Sequence, residues 1–180
     1  MQEAIQTGLE TGDIEGGGYS VIIYCQYNFY TGKHLESVDH NYNQYINLML
    51  KFKQEFIWYI ISIFWQIILN LIGETTEVVC LSGKAFNEAE SLPIFIESKN
   101  VGALFFVYLA KAILLYIFKE PGMAVENAKK AEQYAAAAAG SITVAEHNFY
   151  YSLALLAHYP NVEEQEQSEY LQQVASNQEK

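Results

Sequence analysis

The residues able to do chemistry in this chain are few, and their spacing argues against most of the chemistry they could do. His34, Glu36, Asp39 and His40 cluster within seven positions and offer nitrogen and oxygen ligands for a metal ion. On a helix, however, positions 34 and 40 point to different faces, so the cluster reads as the solvated start of a helix. His147 and His158 are three turns apart and roughly share a face. At about 1.5 Å per residue they stand some 16 Å apart along the axis, too far to share one ion. Glu146-His147 has the wording of a phosphorelay histidine with an acidic neighbour, but packed or surface histidines are the simpler reading of both. Cys25 lies among aromatic and apolar residues with no His or Asp tied to it by a motif, as a small buried residue would. Ser82-Gly83-Lys84 is too short to cradle a phosphate, and Glu163, Glu164, Glu166 and Glu169 read as a solubilising face. No catalytic, cofactor-binding or metal-binding residue is therefore assigned, and no cofactor is expected.

Composition narrows the classes further. The chain has 180 residues and a formal net charge of −11, with ten basic residues that are all lysine. Arginine is the side chain best suited to phosphate and base-edge contacts, so its absence, together with the acidic balance, excludes nucleic acid as the expected partner. Attraction to an anionic membrane surface is disfavoured for the same reason. The two cysteines form neither a CxxC motif nor a zinc-ligand pattern, and the opening "MQEAIQTGLETGD" has no basic stretch followed by an apolar one. A cytoplasmic chain with reduced thiols is the expectation.

The elements that would position these residues are helical. Gly12 closes an opening helix and Asp13 caps the next, "IEGGGYSVIIYCQYNFYTGK", whose Gly16-Gly17-Gly18 run is a weak point for helix formation. Leu35, Val38, Tyr42, Tyr45, Leu48, Met49 and Phe52 then form a stripe at spacings of three and four. A turn is inferred near Lys53 to Glu55 from length alone. Pro93 interrupts "KAFNEAESLPIFIESKN", and "EPG" separates "GALFFVYLAKAILLYIFK" from "MAVENAKKAEQYAAAAAG". No stretch alternates with period two. The expected class is all-α, with antiparallel helical hairpins forming a single domain over 1–180.

One stretch, "EFIWYIISIFWQIILNLIGE", raises the membrane question. Residues 56–72 carry no charge, which reaches the lower edge of the roughly 17–25 residues needed to span a bilayer. Ser62, Gln66 and Asn70, four apart, lay a polar seam along it that should face solvent or bond a neighbouring helix. A second apolar run, 101–118, carries Lys111 at its centre, which a membrane insertion scale penalises by about 2.5–3.5 kcal/mol. Buried helices are expected in both places, and a membrane-associated helical protein is the minority alternative. The aromatic residues Tyr42, Tyr45, Trp58 and Trp65 either form the core of the helix stack or line a concave surface for a partner, and core is the expectation.

A 34-residue unit spans 105–138, with a weaker successor at 147–180. In the first, Ala112 on the leading helix and Ala124, Ala128 and Ala131 on the second would let two helices approach closely, with Tyr108 and Leu115 filling the gap. This is the packing of a tetratricopeptide-type hairpin, and it predicts a tetratricopeptide-like solenoid.

The segments "EAIQTGLETGDIE", "AFNEAESLPIFIES", "FFVYLAKAILLYIF", "AVENAKKAEQY", "FYYSLALLA" and "EQSEYLQQVASNQEK" resemble the helical region of cyanobacterial multi-sensor signal transduction multi-kinases. Those proteins join a serine/threonine kinase domain, an AAA-type ATPase domain, a tetratricopeptide-like helical region, a GAF sensor and a histidine kinase. The resemblance covers nearly the whole chain and falls inside the helical region, so it implies no catalytic residue. The Gly16 to Gly18 run departs from the bulkier residues expected there. Both ends read as cut, which makes the chain a fragment of a longer solenoid whose exposed ends could self-associate. The resemblance implies a non-catalytic scaffold or linker that couples neighbouring kinase and ATPase domains or holds a peptide ligand. The alternative is a free-standing protein–protein interaction adaptor.

Overall fold

A computed structural model describes residues 1–179; Lys180, the last position of the weaker repeat unit, lies outside the described residues. Among the described residues there are nine α-helices and no named strand, so the chain is all-α. They are α1 (Gln2–Thr11), α2 (Ile14–Tyr30), α3 (Leu35–Lys51), α4 (Glu55–Leu71), α5 (Glu88–Glu97), α6 (Val101–Ile117), α7 (Pro121–Glu132), α8 (Ile142–His158) and α9 (Glu164–Gln178). Two compact units emerge: unit 1 holds Met1–Glu77 with Leu81–Asn87, and unit 2 holds Val78–Cys80 with Glu88–Lys180.

In unit 1, α1 packs on α2, and α2 packs on both α3 and α4, which form a hairpin. Gly12 takes the left-handed conformation with φ 82°, and the Asp13 carboxylate accepts from the Gly16 amide at 3.0 Å to start α2. The glycine run does not break that helix. It is where neighbouring helices come close: a Cβ on Gly8 would stand 2.8 Å from the backbone of Gly17, and one on Gly18 would collide with Ile57 Cδ1.

The α3–α4 turn contains no glycine. Lys53 takes the left-handed conformation with φ 54°, the Gln54 amide donates to the Met49 carbonyl at 3.1 Å, and the Lys53 amide donates to the Leu50 carbonyl at 3.1 Å. These two hydrogen bonds close the helix end, and the left-handed lysine costs about 1–2 kcal/mol.

The apolar run becomes α4, seventeen residues long. At about 1.5 Å per residue that is roughly 25 Å, short of a bilayer core of about 30 Å. Among the described residues no helix is long and apolar enough to cross a membrane. Tyr42, Tyr45 and Trp65 are buried as expected of core, with Tyr24 edge-on to Tyr45 at 5.7 Å, whereas Trp58 is half-buried.

The polar seam has a definite job. Ser62, Gln66 and Asn70 are all buried: Ser62 donates to the Trp58 carbonyl of its own helix at 2.7 Å, while Gln66 meets a loop rather than solvent or another helix. Gln66 Oε1 accepts from the backbone amides of Ala85 and Phe86 at 3.1 and 3.2 Å, while its Nε2 donates to Asn70 Oδ1 at 2.9 Å. A Cβ on Gly83 would lie 2.6 Å from Gln66 Nε2, so this glycine lets the loop sit directly on the amide.

In unit 2, α5 packs on α6, α6 and α7 form a tight hairpin, α7 packs on α8, and α8 packs on α9. Asn100 caps α6 by accepting from the Ala103 amide at 3.1 Å, and Pro121 opens α7, where its missing N–H costs nothing. The Ala135–Ala138 run is a 3-10 turn rather than a continuation of α7. Ala112, Ala124, Ala128 and Ala131 are all buried, as a close hairpin requires, and Leu115 shares a core cluster with the first three. Tyr108 instead lies at the hairpin edge, half-buried, stacked on Tyr134 at 6.2 Å with Lys130 Nζ 5.8 Å from its ring centroid.

Candidate functional site

The predicted candidates separate once the structure places them. His34 Nδ1 lies beside a Glu36 carboxylate oxygen with both side chains exposed, His40 is exposed, and Asp39 turns the other way to accept from Trp65 Nε1 at 2.6 Å. Among the described residues no group of three or more His, Cys, Asp or Glu could hold a metal ion. Cys25 is buried, and that burial pushes its thiol up to about 12. Ser82-Gly83-Lys84 belongs to the loop pinned by Gln66, with Lys84 Nζ 5.6 Å from the Trp65 ring centroid.

His147 is 1% exposed, so it offers no surface imidazole to a phosphoryl donor. Its Nε2 lies 2.8 Å from the Ala128 carbonyl, which only an N–H can satisfy, and its ring packs between Phe105 and Tyr151. Burial pushes the adjacent Glu146 carboxyl upward. This histidine joins α7 to α8.

His158, on the same helix, is placed differently. Its Nδ1 is buried with no hydrogen-bond partner, and a Cβ on Gly122 would stand 3.1 Å from its Cε1. The ring leans on Tyr170 at 6.2 Å and 34°. Together they lie in a hollow of about 380 Å³ built by three helices. Its floor is the α8 face carrying Tyr151, Leu155 and His158, spaced four and three apart. The α7 wall carries Glu126, Lys129 and Glu132, and the α9 wall carries Glu166, Glu169, Tyr170 and Gln173. Gln173 Nε2 donates to Glu132 Oε1 at 3.2 Å, tying one wall to the other.

One buried polar atom of this lining, His158 Nδ1, has no hydrogen-bond partner among the described residues. The Tyr151 hydroxyl also belongs to the lining, on a residue 5% exposed. Burial, and next the Glu132 charge, push that hydroxyl up to about 12. Tyr170 is also pushed up to about 12, by burial first and then by its hydrogen bond to Glu166.

A second hollow, about 310 Å³, lies at the α3–α4 turn of unit 1 against Trp58, Tyr59 and Leu50. Its one carboxylate, Glu55, is matched by the Lys53 ammonium, so it has no net charge with which to select an ion. Among the described residues, the lining of the unit 2 hollow carries Glu126, Glu132, Glu166 and Glu169 beside Lys129.

Sequence reasoning reached His158 but not its surroundings, and it assigned Glu166 and Glu169 to a solvated face. They are exposed, yet they also form one wall of the hollow. The i, i+3, i+4 pattern of Glu166, Glu169 and Tyr170 was a usable signal, but the helix opposite could not be read from it. Compared with known protein families, curated proteins and solved structures, the chain matches none.

Proposed function

We propose that this chain is a non-catalytic helical scaffold whose unit 2 holds a segment of a partner protein in the hollow between α7, α8 and α9. The observation that carries this reading is the hollow of about 380 Å³ between three helices, whose lining includes His158 with a buried Nδ1 that has no hydrogen-bond partner among the described residues. A buried donor or acceptor without a partner costs about 1–3 kcal/mol, and a ligand that supplies the partner recovers that energy on binding. The hollow falls within the roughly 300–1,000 Å³ of small binding pockets.

The α6–α7 hairpin, with its four buried alanines, and the sequential packing of α6 to α9 support a tetratricopeptide-like arrangement for unit 2. On that reading, a cytoplasmic adaptor presents this hollow to other chains. The resemblance to the helical region of multi-kinases would make a neighbouring domain the occupant, and that version rests on the sequence segments alone.

The test is selection of a displayed random-peptide library on the full chain, with binders mapped by NMR shifts. Enriched peptides that move Tyr151, His158 and Tyr170 support the proposal. Failure to enrich any peptide, or shifts confined to unit 1, overturns it.

A further inference from the structure

We infer that the exposed face of α2 pairs with the same face of a second copy of this chain, the two helices running antiparallel about a two-fold axis at Ile23. This concerns unit 1 and stands apart from the preceding proposal.

The face is a single line. From Gly16 to Tyr30 the exposed residues are Tyr19, Ile23 and Tyr27, four apart, at 46%, 53% and 53% exposure, and every other position is buried or half-buried. Scattered apolar side chains are ordinary on a protein surface, but three in register along one helix form a ridge. No charge interrupts it: residues 16–32 contain none, in a chain of net charge −11. A ridge rich in tyrosine and free of charge has the composition of an interface core.

The order of the residues selects the partner. Read in either direction about Ile23 the ridge is Tyr, Ile, Tyr, so an antiparallel copy sets Tyr19 against the second copy's Tyr27 and Ile23 against its own counterpart. That is the self-complementarity an isologous two-fold interface requires.

The ends of α2 fix the direction. Glu15 lies on the same line, one turn before Tyr19, and Lys33 follows the last helical residue, Tyr30. Both are exposed, and neither has an ion-pair partner among the described residues. Of the neighbouring carboxylates, Asp13 caps Gly16 and Glu36 lies beside His34 Nδ1. Antiparallel pairing brings Glu15 of each copy towards Lys33 of the other, and it aligns the helix dipoles favourably. A parallel pair would set Glu15 towards Glu15 and Lys33 towards Lys33.

Area sets the strength. At about half exposure, the two tyrosines and Ile23 together offer roughly 300 Å² a side, against roughly 800 Å² a side in a standard interface. The association is therefore weak and reversible, with a dissociation constant of about 10 μM to 1 mM.

The experiment is sedimentation velocity of the full chain across that concentration range, with circular dichroism on every variant. The expected result is a reversible monomer–dimer equilibrium. Ile23→Glu, which sets two carboxylates face to face on the axis, should weaken it at least about tenfold with helicity unchanged. Glu15→Lys and Lys33→Glu should each weaken it several-fold alone. An equimolar mixture of those two variants should associate about as well as the parent, because the mixed dimer restores an opposite-charge pair at both ends. Phe149→Ser, at an exposed apolar position of α8, is the control and should change nothing. A monomer throughout, a dimer indifferent to Ile23→Glu, a mixture no better than its components, or dissociation by Phe149→Ser overturns the inference. A monomer that binds neutral phosphatidylcholine vesicles through Ile23 also overturns it, and assigns the ridge to lipid.

Discussion

Lys111 Nζ lies 2.7 and 2.6 Å from the two carboxylate oxygens of Glu88, joining the middle of α6 to the first residue of α5. The side chains are 21% and 15% exposed. The pair explains how a lysine sits at the centre of an apolar helix: its charge is matched where it enters the protein. Removing one partner strands the other in a poorly hydrated place. Lys111→Met and Glu88→Gln should each destabilise unit 2 by about 1–3 kcal/mol, less than for a fully buried pair because water still reaches both groups. The double variant should recover part of that loss. Urea unfolding of the four proteins measures it, and strictly additive losses would refute a direct interaction.

Gln66 offers a sharper test because its partners cannot be replaced by water. Its single carbonyl oxygen accepts from the amides of both Ala85 and Phe86, all buried. Gln66→Leu keeps the volume roughly constant but leaves two N–H groups unmated, at about 1–3 kcal/mol each. Hydrogen exchange at Ala85 and Phe86 should rise while exchange in the middle of α3 changes far less. A variant whose loop amides stay protected would mean that the loop is held by its apolar residues instead.

These two residues also show what a sequence can and cannot display. Ser62, Gln66 and Asn70 announce a polar seam by spacing, and Lys111 announces an anomaly by charge. The partners are less visible. Gln66 bonds to backbone amides, which every residue but proline carries, so no side-chain pattern marks them. The α3–α4 turn was legible only from length, because Lys53 takes a left-handed conformation that a glycine would normally signal. The hollow of unit 2 was hidden for a related reason. Periodicity reports which residues share a face of one helix, but it does not say which face of α9 stands opposite α7.

Burial of ionisable groups predicts an alkaline limit. Cys25 is pushed from its ordinary value of 9.0 to about 12, and Tyr151 from 10.0 to about 12, both chiefly by desolvation. The folded chain holds these protons more tightly than the unfolded one, so stability falls as pH rises and the unfolded state releases them first. The contribution is complete below about pH 9 for Cys25 and below about pH 10 for Tyr151, and it is lost towards about pH 12. In a Cys80→Ser background, the Cys25 thiol should resist a disulfide reagent at pH 8 until the protein is unfolded. Immediate reaction of the folded protein would contradict the buried placement.

The glycines of α1 and α2 give a prediction with two signs. A methyl group on Gly8 would press on the backbone of Gly17 at 2.8 Å, and backbone cannot swing aside as a side-chain tip can. Gly8→Ala should therefore destabilise unit 1 by about 1–3 kcal/mol, outweighing the roughly 1 kcal/mol that alanine gains in a helix. The reciprocal change is not equivalent. A Cβ on Gly17 meets its nearest atoms, the Ile5 carbonyl oxygen and Gly8 Cα, at 3.5 and 3.6 Å, which is ordinary contact. Gly17→Ala should keep the helix gain and stabilise by about 0.5–1 kcal/mol. Thermal melts of the two variants against the parent should move in opposite directions; if both fall, the two helices pack more tightly on the Gly17 side than the contact distances imply.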